Sequence, residues 1–257
     1  MNWMHFRPLY FLISGIVIGV GIFSLVRWGF ALSIDFTGGT VIEYQKKSDG
    51  SRFIEQTGPT TQEEAQREDA TIVRFESVGP TFSKEILRKT IIAVAIAAGG
   101  ILLWVAWQFK SVQFGISAIL ATVHDSAVLI GSFALLGHFV RAPVDILFVT
   151  ALLTTLAFSV HDTIVVFDRI RETKRRLGGS IYNLANLAVS QTMVRSLNNS
   201  LTIIFVLVAL ALLGGETLRW FVIALLIGVV TGTYSSPFVA VPLLVTWEEI
   251  QARFRKH

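Results

Sequence analysis

Cysteine is absent from the chain, so neither a disulfide framework nor thiolate chemistry is available to it. Charge is scarce as well: Asp, Glu, Lys and Arg make up 16% of the 257 residues, against 53% hydrophobic, and mean hydropathy is +0.62. Soluble domains carry about a quarter of their residues charged. The shortage therefore excludes an ordinary soluble domain and describes a polytopic membrane protein. The small positive excess, formally +4, sits beside hydrophobic runs, and no nucleic-acid motif accompanies it. It implies a phospholipid membrane as the anionic neighbour and no nucleic acid. No Lys-Ser/Thr follows Gly38 and Gly39, so this pair reads as a turn before a strand and not as a phosphate loop. No GxGD surrounds Asp162, which weighs against an intramembrane aspartyl protease. Neither an enzyme site nor a cofactor is expected.

Long apolar runs are what the chain does have. They cover residues 9–28, 90–109, 114–139, 144–167, 197–213 and 218–244, each long enough to cross a bilayer as a helix. The first, behind Arg7, reads as a signal anchor. Ala31 and Ser33 give it an A-x-S cleavage pattern, but it is longer than a usual signal-peptide core. Gly15 and Gly19 form a GxxxG within it, a weak packing motif. Between the first two spans, residues 29–89 turn polar. Alternation at 40–44 (TVIEY) and 71–76 (TIVRFE) predicts strands, and 60–68 (TTQEEAQRE) is helix-prone with Thr60 or Thr61 as a cap. A turn at Gly79 and Pro80 then leads into an amphipathic helix entering the membrane.

The expected organisation is an α-helical polytopic membrane protein with six transmembrane helices and a small α+β extracytoplasmic module between helices 1 and 2. In numbers this is an N-terminus and first span at 1–28, the module at 29–89, helices 2–4 at 90–167, a basic loop at 168–196, helices 5–6 at 197–244 and a tail at 245–257. The loop carries Arg169, Arg171, Lys174, Arg175, Arg176 and Arg195, and the tail carries Arg253, Arg255 and Lys256. By the positive-inside rule both are cytoplasmic, which puts both termini inside and the module outside.

Residues 158–172, FSVHDTIVVFDRIRE, begin in an apolar span and end in dense charge. Asp168, Arg169, Arg171 and Glu172 read as a snorkelling helix end. Asp162 lies deeper, where an ionised carboxylate costs about 2.5–3.5 kcal/mol on insertion scales and so calls for a partner or a task. His161 precedes it, and His124-Asp125 forms a second His-Asp pair in the third span. At 1.5 Å per residue Asp125 stands about 16 Å from the cytoplasmic side and Asp162 about 8 Å, an offset that argues against a tight dyad. Three readings stay open: a proton path, a divalent cation held by both pairs as N and O ligands, and helix-to-helix hydrogen bonding. Arg195 is the candidate counter-charge for Asp162, provided the fifth helix begins well before residue 197.

These motifs together resemble the SecD/SecF family of protein-export membrane proteins, within the resistance-nodulation-division (RND) superfamily. The resemblance runs nearly end to end. It rests on Asp35-Phe-Thr-Gly-Gly-Thr40, Val78-Gly-Pro80, His124-Asp125, the run from Asp162 through Asp168 and Arg169 to Glu172, Gln191-Thr-Met-Val-Arg-Ser196 and Gly232-Thr-Tyr-Ser-Ser236. It implies a bacterial or archaeal inner-membrane protein with a ferredoxin-like external module, and use of proton-motive force to draw translocating unfolded polypeptide outward. It also implies a separate SecD-like subunit and the Sec translocon channel as partners. By motif the functional charges fall on Asp162 and Arg195. His161 stands where the family usually has Asn, and the module is short for a complete ferredoxin-like sheet. The alternative is a proton-coupled RND-type transporter of small molecules or ions.

Overall fold

The computed structural model describes residues 2–109 and 111–254; Arg255 and Lys256 of the basic tail lie outside the described residues. A single 3-10 turn, Trp3–Phe6, leads into α1 (Arg7–Trp28). A one-turn helix α2 (Ile34–Thr37) follows, then strands β1 (Gly39–Lys46), β2 (Arg52–Thr57) and β3 (Ala70–Val78). The remaining helices are α3 (Pro80–Gln108), α4 (Val112–Val140), α5 (Ile146–Leu177), α6 (Ile181–Leu213), α7 (Glu216–Ser235) and α8 (Val241–Phe254). The last two are joined through a π turn, Ser236–Ala240. Among the described residues six helical segments are long and apolar enough to cross a membrane, the sixth running from Leu218 to Phe254 through the π turn. The chain is therefore a six-span α-helical membrane protein with a small α+β module between spans 1 and 2.

The centre of the bundle is built where α4, α5 and the last span meet. Ala118, Ala121, Val160, Val166, Phe167, Ala240 and Leu244 bury there, with Ala185, Ala188 and Val189 of α6 against them. α1 crosses α4 at a glycine contact: a Cβ at Gly21 would stand 2.9 Å from Gly131 Cα, so the two backbones touch. A Cβ added at Gly15 or Gly19 would meet nothing within 4 Å outside α1 among the described residues, so the GxxxG seats no neighbouring helix there. α3 packs least, with 6% of its span window buried.

The module is a three-stranded antiparallel sheet of order β2-β1-β3. Its core is Ile42, Tyr44, Ala65 and Ala70, with Phe53, Ile72 and Phe75 packed against them. A ferredoxin-like sheet needs a fourth strand and crossover helices, and among the described residues the module has neither. Residues 60–68 form turns in place of the expected helix. Their cap does form, with Thr61 N–H donating to Glu64 Oε2 at 3.0 Å and Glu64 N–H to Thr61 Oγ1 at 3.3 Å. The segment stops after that turn because the Tyr44 hydroxyl takes the Ala65 carbonyl at 2.8 Å. Arg67, stacked 4.9 Å over the Tyr44 ring, pairs with Glu55 at 2.6 Å. A helix this short is marginal in water, so tertiary bonds decide it.

The expected basic loop over 168–196 is also corrected. α5 continues to Leu177 and α6 begins at Ile181, leaving a connection of residues 178–180. Hydropathy marks where a helix leaves the apolar layer, not where it ends. The charged extension sustains itself through pairs one turn apart: Arg169–Glu172 at 2.6 Å, Arg171–Asp168 at 3.3 Å and Arg176–Glu172 at 2.8 Å. Each such pair contributes about 0.3–0.5 kcal/mol. Both chain ends gather at this end of the bundle, opposite the module. Arg7 pairs with Glu249 at 2.7 Å and Lys174 with Glu248 at 3.1 Å, and the Tyr182 hydroxyl donates to Asn2 at 2.7 Å.

Candidate functional site

Along α5 the buried positions Ser159, Asp162, Thr163, Val166 and Ile170 recur at three- and four-residue spacing, which stacks them on one helix face. Asp162, 8% exposed, is held there between helices. The Ser196 hydroxyl of α6 donates to its Oδ2 at 2.7 Å, and close by the Ser236 hydroxyl of the last span meets Thr163 Oγ1 at 3.0 Å. The charges predicted around Asp162 do not close on it. Arg195 precedes Ser196 on α6 and is exposed, and its charge reaches Asp162 through space without an ion pair. His161 is exposed and likewise acts on Asp162 as a charge. Neighbouring helical residues point about 100° apart, so one faces in and the next faces out.

The other pair is arranged differently. Asp125 has no exposed surface and His124 is 7% exposed. Asp125 Oδ1 shares a hydrogen bond with His124 Nδ1 at 2.9 Å. Its Oδ2 accepts from Ser159 of α5 at 2.5 Å and from Ser235 of α7 at 2.6 Å. Asp125 and Asp162 share no hydrogen-bond partner among the described residues. Among the described residues no three His, Asp or Glu side chains converge as a metal-binding group.

Below Asp162 on the side away from the module, a cleft of about 730 Å³ opens between α5 and α6. Val165, Thr192 and Arg195 line it near Asp162, and Asp168, Arg169 and Arg175 line its mouth. Arg169 Nε donates to Gln191 at 2.7 Å across it. A hydroxyl can donate to an ionised carboxylate and accept from a protonated one. Asp162, held by the Ser196 hydroxyl, can therefore exist in either state without losing that partner.

The glycine motif lies at the opposite end of α5. After α1 the chain pairs with the α4–α5 connection: Val144 N–H donates to the Ala31 carbonyl at 2.8 Å, and Ser33 N–H to the Val144 carbonyl at 3.0 Å. Asp35 Oδ2 then accepts from Ile146 N–H at 3.3 Å, and Asp145 caps the same helix by accepting from Phe148 N–H at 2.7 Å. Burial pushes the Asp145 carboxyl above its ordinary range; the Phe148 bond opposes this, and the like charge of Asp35 adds to it. Gly38 and Gly39 have φ of +73° and +118°, and a Cβ on Gly39 would stand 2.5 Å from the Thr57 carbonyl oxygen. Only glycine fits there. Gly79 precedes α3, Pro80 occupies its first turn, and the Ser83 hydroxyl donates to the Ile34 carbonyl at 3.1 Å. The motif thus joins the module, α3 and the start of the Asp162 helix.

Sequence reasoning missed Ser159, Ser196 and Ser235 as the partners of the two carboxylates. Serine is common in membrane helices, and only helix register shows which hydroxyls point inward. The available signal was the placement of Ser196 and of Ser235 inside the quoted motifs.

Family comparison agrees with this architecture. Residues 59–250 match the family model for protein export membrane protein SecD/SecF, C-terminal, and residues 23–45 match the SecD/SecF GG motif. The chain is 40% identical to the protein translocase subunit SecF of Thermobaculum terrenum, over 95% of this chain and 93% of that one. It is 37% identical to that of Anaerolinea thermophila, over 96% and 94%. Among solved structures it resembles the crystal structure of SecDF in its super-membrane-facing form, with a TM-score of 0.76 at 31% identity. That similarity covers all of this chain and 40% of the other.

Proposed function

The chain belongs to the SecD/SecF family of protein-export membrane proteins, and we propose that it serves the Sec machinery as a subunit coupling proton flow to late steps of polypeptide translocation. The observation that carries the proposal is Asp162: a carboxylate buried in a membrane span, bonded by the Ser196 hydroxyl and not by an ion pair, one helical turn from Val165 at the wall of a charged cleft. Arg195 supplies a positive field at the cleft wall. One charge moving through 100 mV releases about 2.3 kcal/mol, enough to shift a two-state equilibrium about 50-fold.

Orientation follows from the basic residues. Arg169, Arg171, Lys174, Arg175 and Arg176 crowd the end that holds both chain termini, which makes that end cytoplasmic and the module external. Protons entering from outside would leave through the cleft, and the Asp35 and Asp145 joint would carry α5 motion to the module. The partner is a SecD-like subunit, because the similar SecDF chain is more than twice as long as the region matched and α3 leaves its apolar surface uncovered. The translocon channel and the unfolded polypeptide complete the assembly. His161 stands exposed beside Asp162 where the family usually has Asn.

The test is Asp162→Asn in membranes that depend on this subunit. Insertion and partner binding should be normal while the gradient-driven part of export is lost. Unchanged export would overturn the proposal.

A further inference from the structure

Five arginines line the cleft between α5 and α6 against two carboxylates. Both carboxylates are already taken: Asp168 pairs with Arg171 at 3.3 Å, and Glu172 with Arg169 at 2.6 Å and with Arg176 at 2.8 Å. Arg175 and Arg195 remain. Among the described residues neither guanidinium has a hydrogen bond or an ion pair, although both line the same space of about 730 Å³. Cavities of about 300–1,000 Å³ are of the size that holds small ligands.

Two bonds set how the helices face each other across it. Ser196 reaches Asp162 at the deep end, and Gln191 meets Arg169 at 2.7 Å toward the mouth. Arg195 therefore belongs to the deep end and Arg175 to the mouth, and unpaired positive charge extends from one to the other. Beside the cleft α6 turns an apolar rail outward. Leu187, Val194, Leu197 and Leu201 are all exposed, and their three-, four- and seven-residue spacings place them on one helix face. Val194 follows Gln191 by three residues and so neighbours it on the helix surface. From there the rail runs toward the apolar middle of the span, the direction an acyl chain takes from its headgroup.

We propose that this cleft is a binding site for one anionic phospholipid of the bordering leaflet, seated with its phosphate headgroup at Arg175 and Arg195 and an acyl chain along Val194, Leu197 and Leu201. The chemistry fits on both counts. A guanidinium presents paired N–H donors that match phosphate oxygens, and basic pockets between membrane helices bind anionic headgroups. A soluble phosphate would use the same guanidiniums but leave the apolar rail uncovered. The site does not depend on the proton role given to Asp162 above.

The test is lipid retention by the complex of this chain with its SecD-like partner, extracted from vesicles of phosphatidylcholine doped with phosphatidylglycerol and weighed intact by mass spectrometry. The parent should keep one phosphatidylglycerol per copy of this chain and no phosphatidylcholine in its place. Arg175→Gln with Arg195→Gln should weaken that retention about 30-fold, the attraction of two basic residues at a membrane surface, and Arg175→Gln alone about 5-fold. Arg175→Lys with Arg195→Lys keeps both charges and should keep the lipid, and Arg253→Gln, outside the cleft, should change nothing. Should the double glutamine variant fail to fold, Arg175→Gln, at an exposed position, carries the test. Undiminished retention in the glutamine variants, equal retention of phosphatidylcholine, or a complex that holds no lipid overturns the proposal. Displacement by inorganic phosphate would mark a site for soluble anions and overturn it too. Retention reads neither export nor proton flux, so this proposal and the proton role of Asp162 can each fail alone.

Discussion

The same dipeptide, His-Asp, occurs in α4 and in α5, and the fold treats the two copies in opposite ways. In α4 histidine and aspartate are both buried and bonded to each other, with two serines completing the carboxylate. In α5 the aspartate faces inward and the histidine outward, and the carboxylate is held by the Ser196 hydroxyl, one turn from Val165 at a cleft wall. The first arrangement is sealed from solvent. The second lies one helical turn from the wall of a charged cleft. Residue type therefore says less about proton exchange than the helix face on which each residue falls.

The largest effect separating the pairs is expected in export. Asp162→Asn should remove the whole gradient-driven increment, whereas Asp125→Asn, at a fully buried carboxylate away from the cleft, should remove a smaller part of it. Rates of export with and without a proton gradient check this, and equal losses would erase the distinction. Arg195→Ala should also lower gradient-driven export, but combined with Asp162→Asn it should be no worse than the worse single variant. Strictly additive losses would show that the two residues act apart.

The pairs should also differ in stability. His124→Ala strips a buried carboxylate of a partner and should cost about 1–3 kcal/mol, while His161→Ala, at an exposed site, should stay within about 0.5 kcal/mol. Unfolding midpoints in detergent measure both. The smallest expected effect lies at the far end of α5. Because burial raises the Asp145 carboxyl in the folded chain, the fold binds its proton more tightly than the unfolded chain does. Stability there is greatest when the group is protonated, and it declines as pH rises from about 3.9 through the higher folded value. Hydrogen exchange at Phe148 should follow that decline in the parent and flatten in Asp145→Asn.

Much of this was legible in the residues. Six apolar runs of membrane length announced six spans, and Asp125 and Asp162 stood out because charge is costly in such runs. Helix extents were not legible: the charged turns after Phe167 remain helical through Arg169–Glu172 and Arg176–Glu172 pairing, which hydropathy does not register. The 60–68 segment kept its cap but lost its helix to one Tyr44 hydrogen bond, a contact set by the strand pairing that places Tyr44 in the module core. Arg195 was visible as a charge at a suitable depth, yet the side chain that reaches Asp162 is its neighbour Ser196, because register and not depth decides which residue points inward.

The central claim is that protons pass by way of Asp162. Proton flux into vesicles holding this chain with its SecD-like partner tests it most directly, comparing the parent with Asp162→Asn and Asp125→Asn under an imposed gradient. The account predicts flux in the parent, none in Asp162→Asn and a reduced flux in Asp125→Asn. Undiminished flux in Asp162→Asn would contradict it.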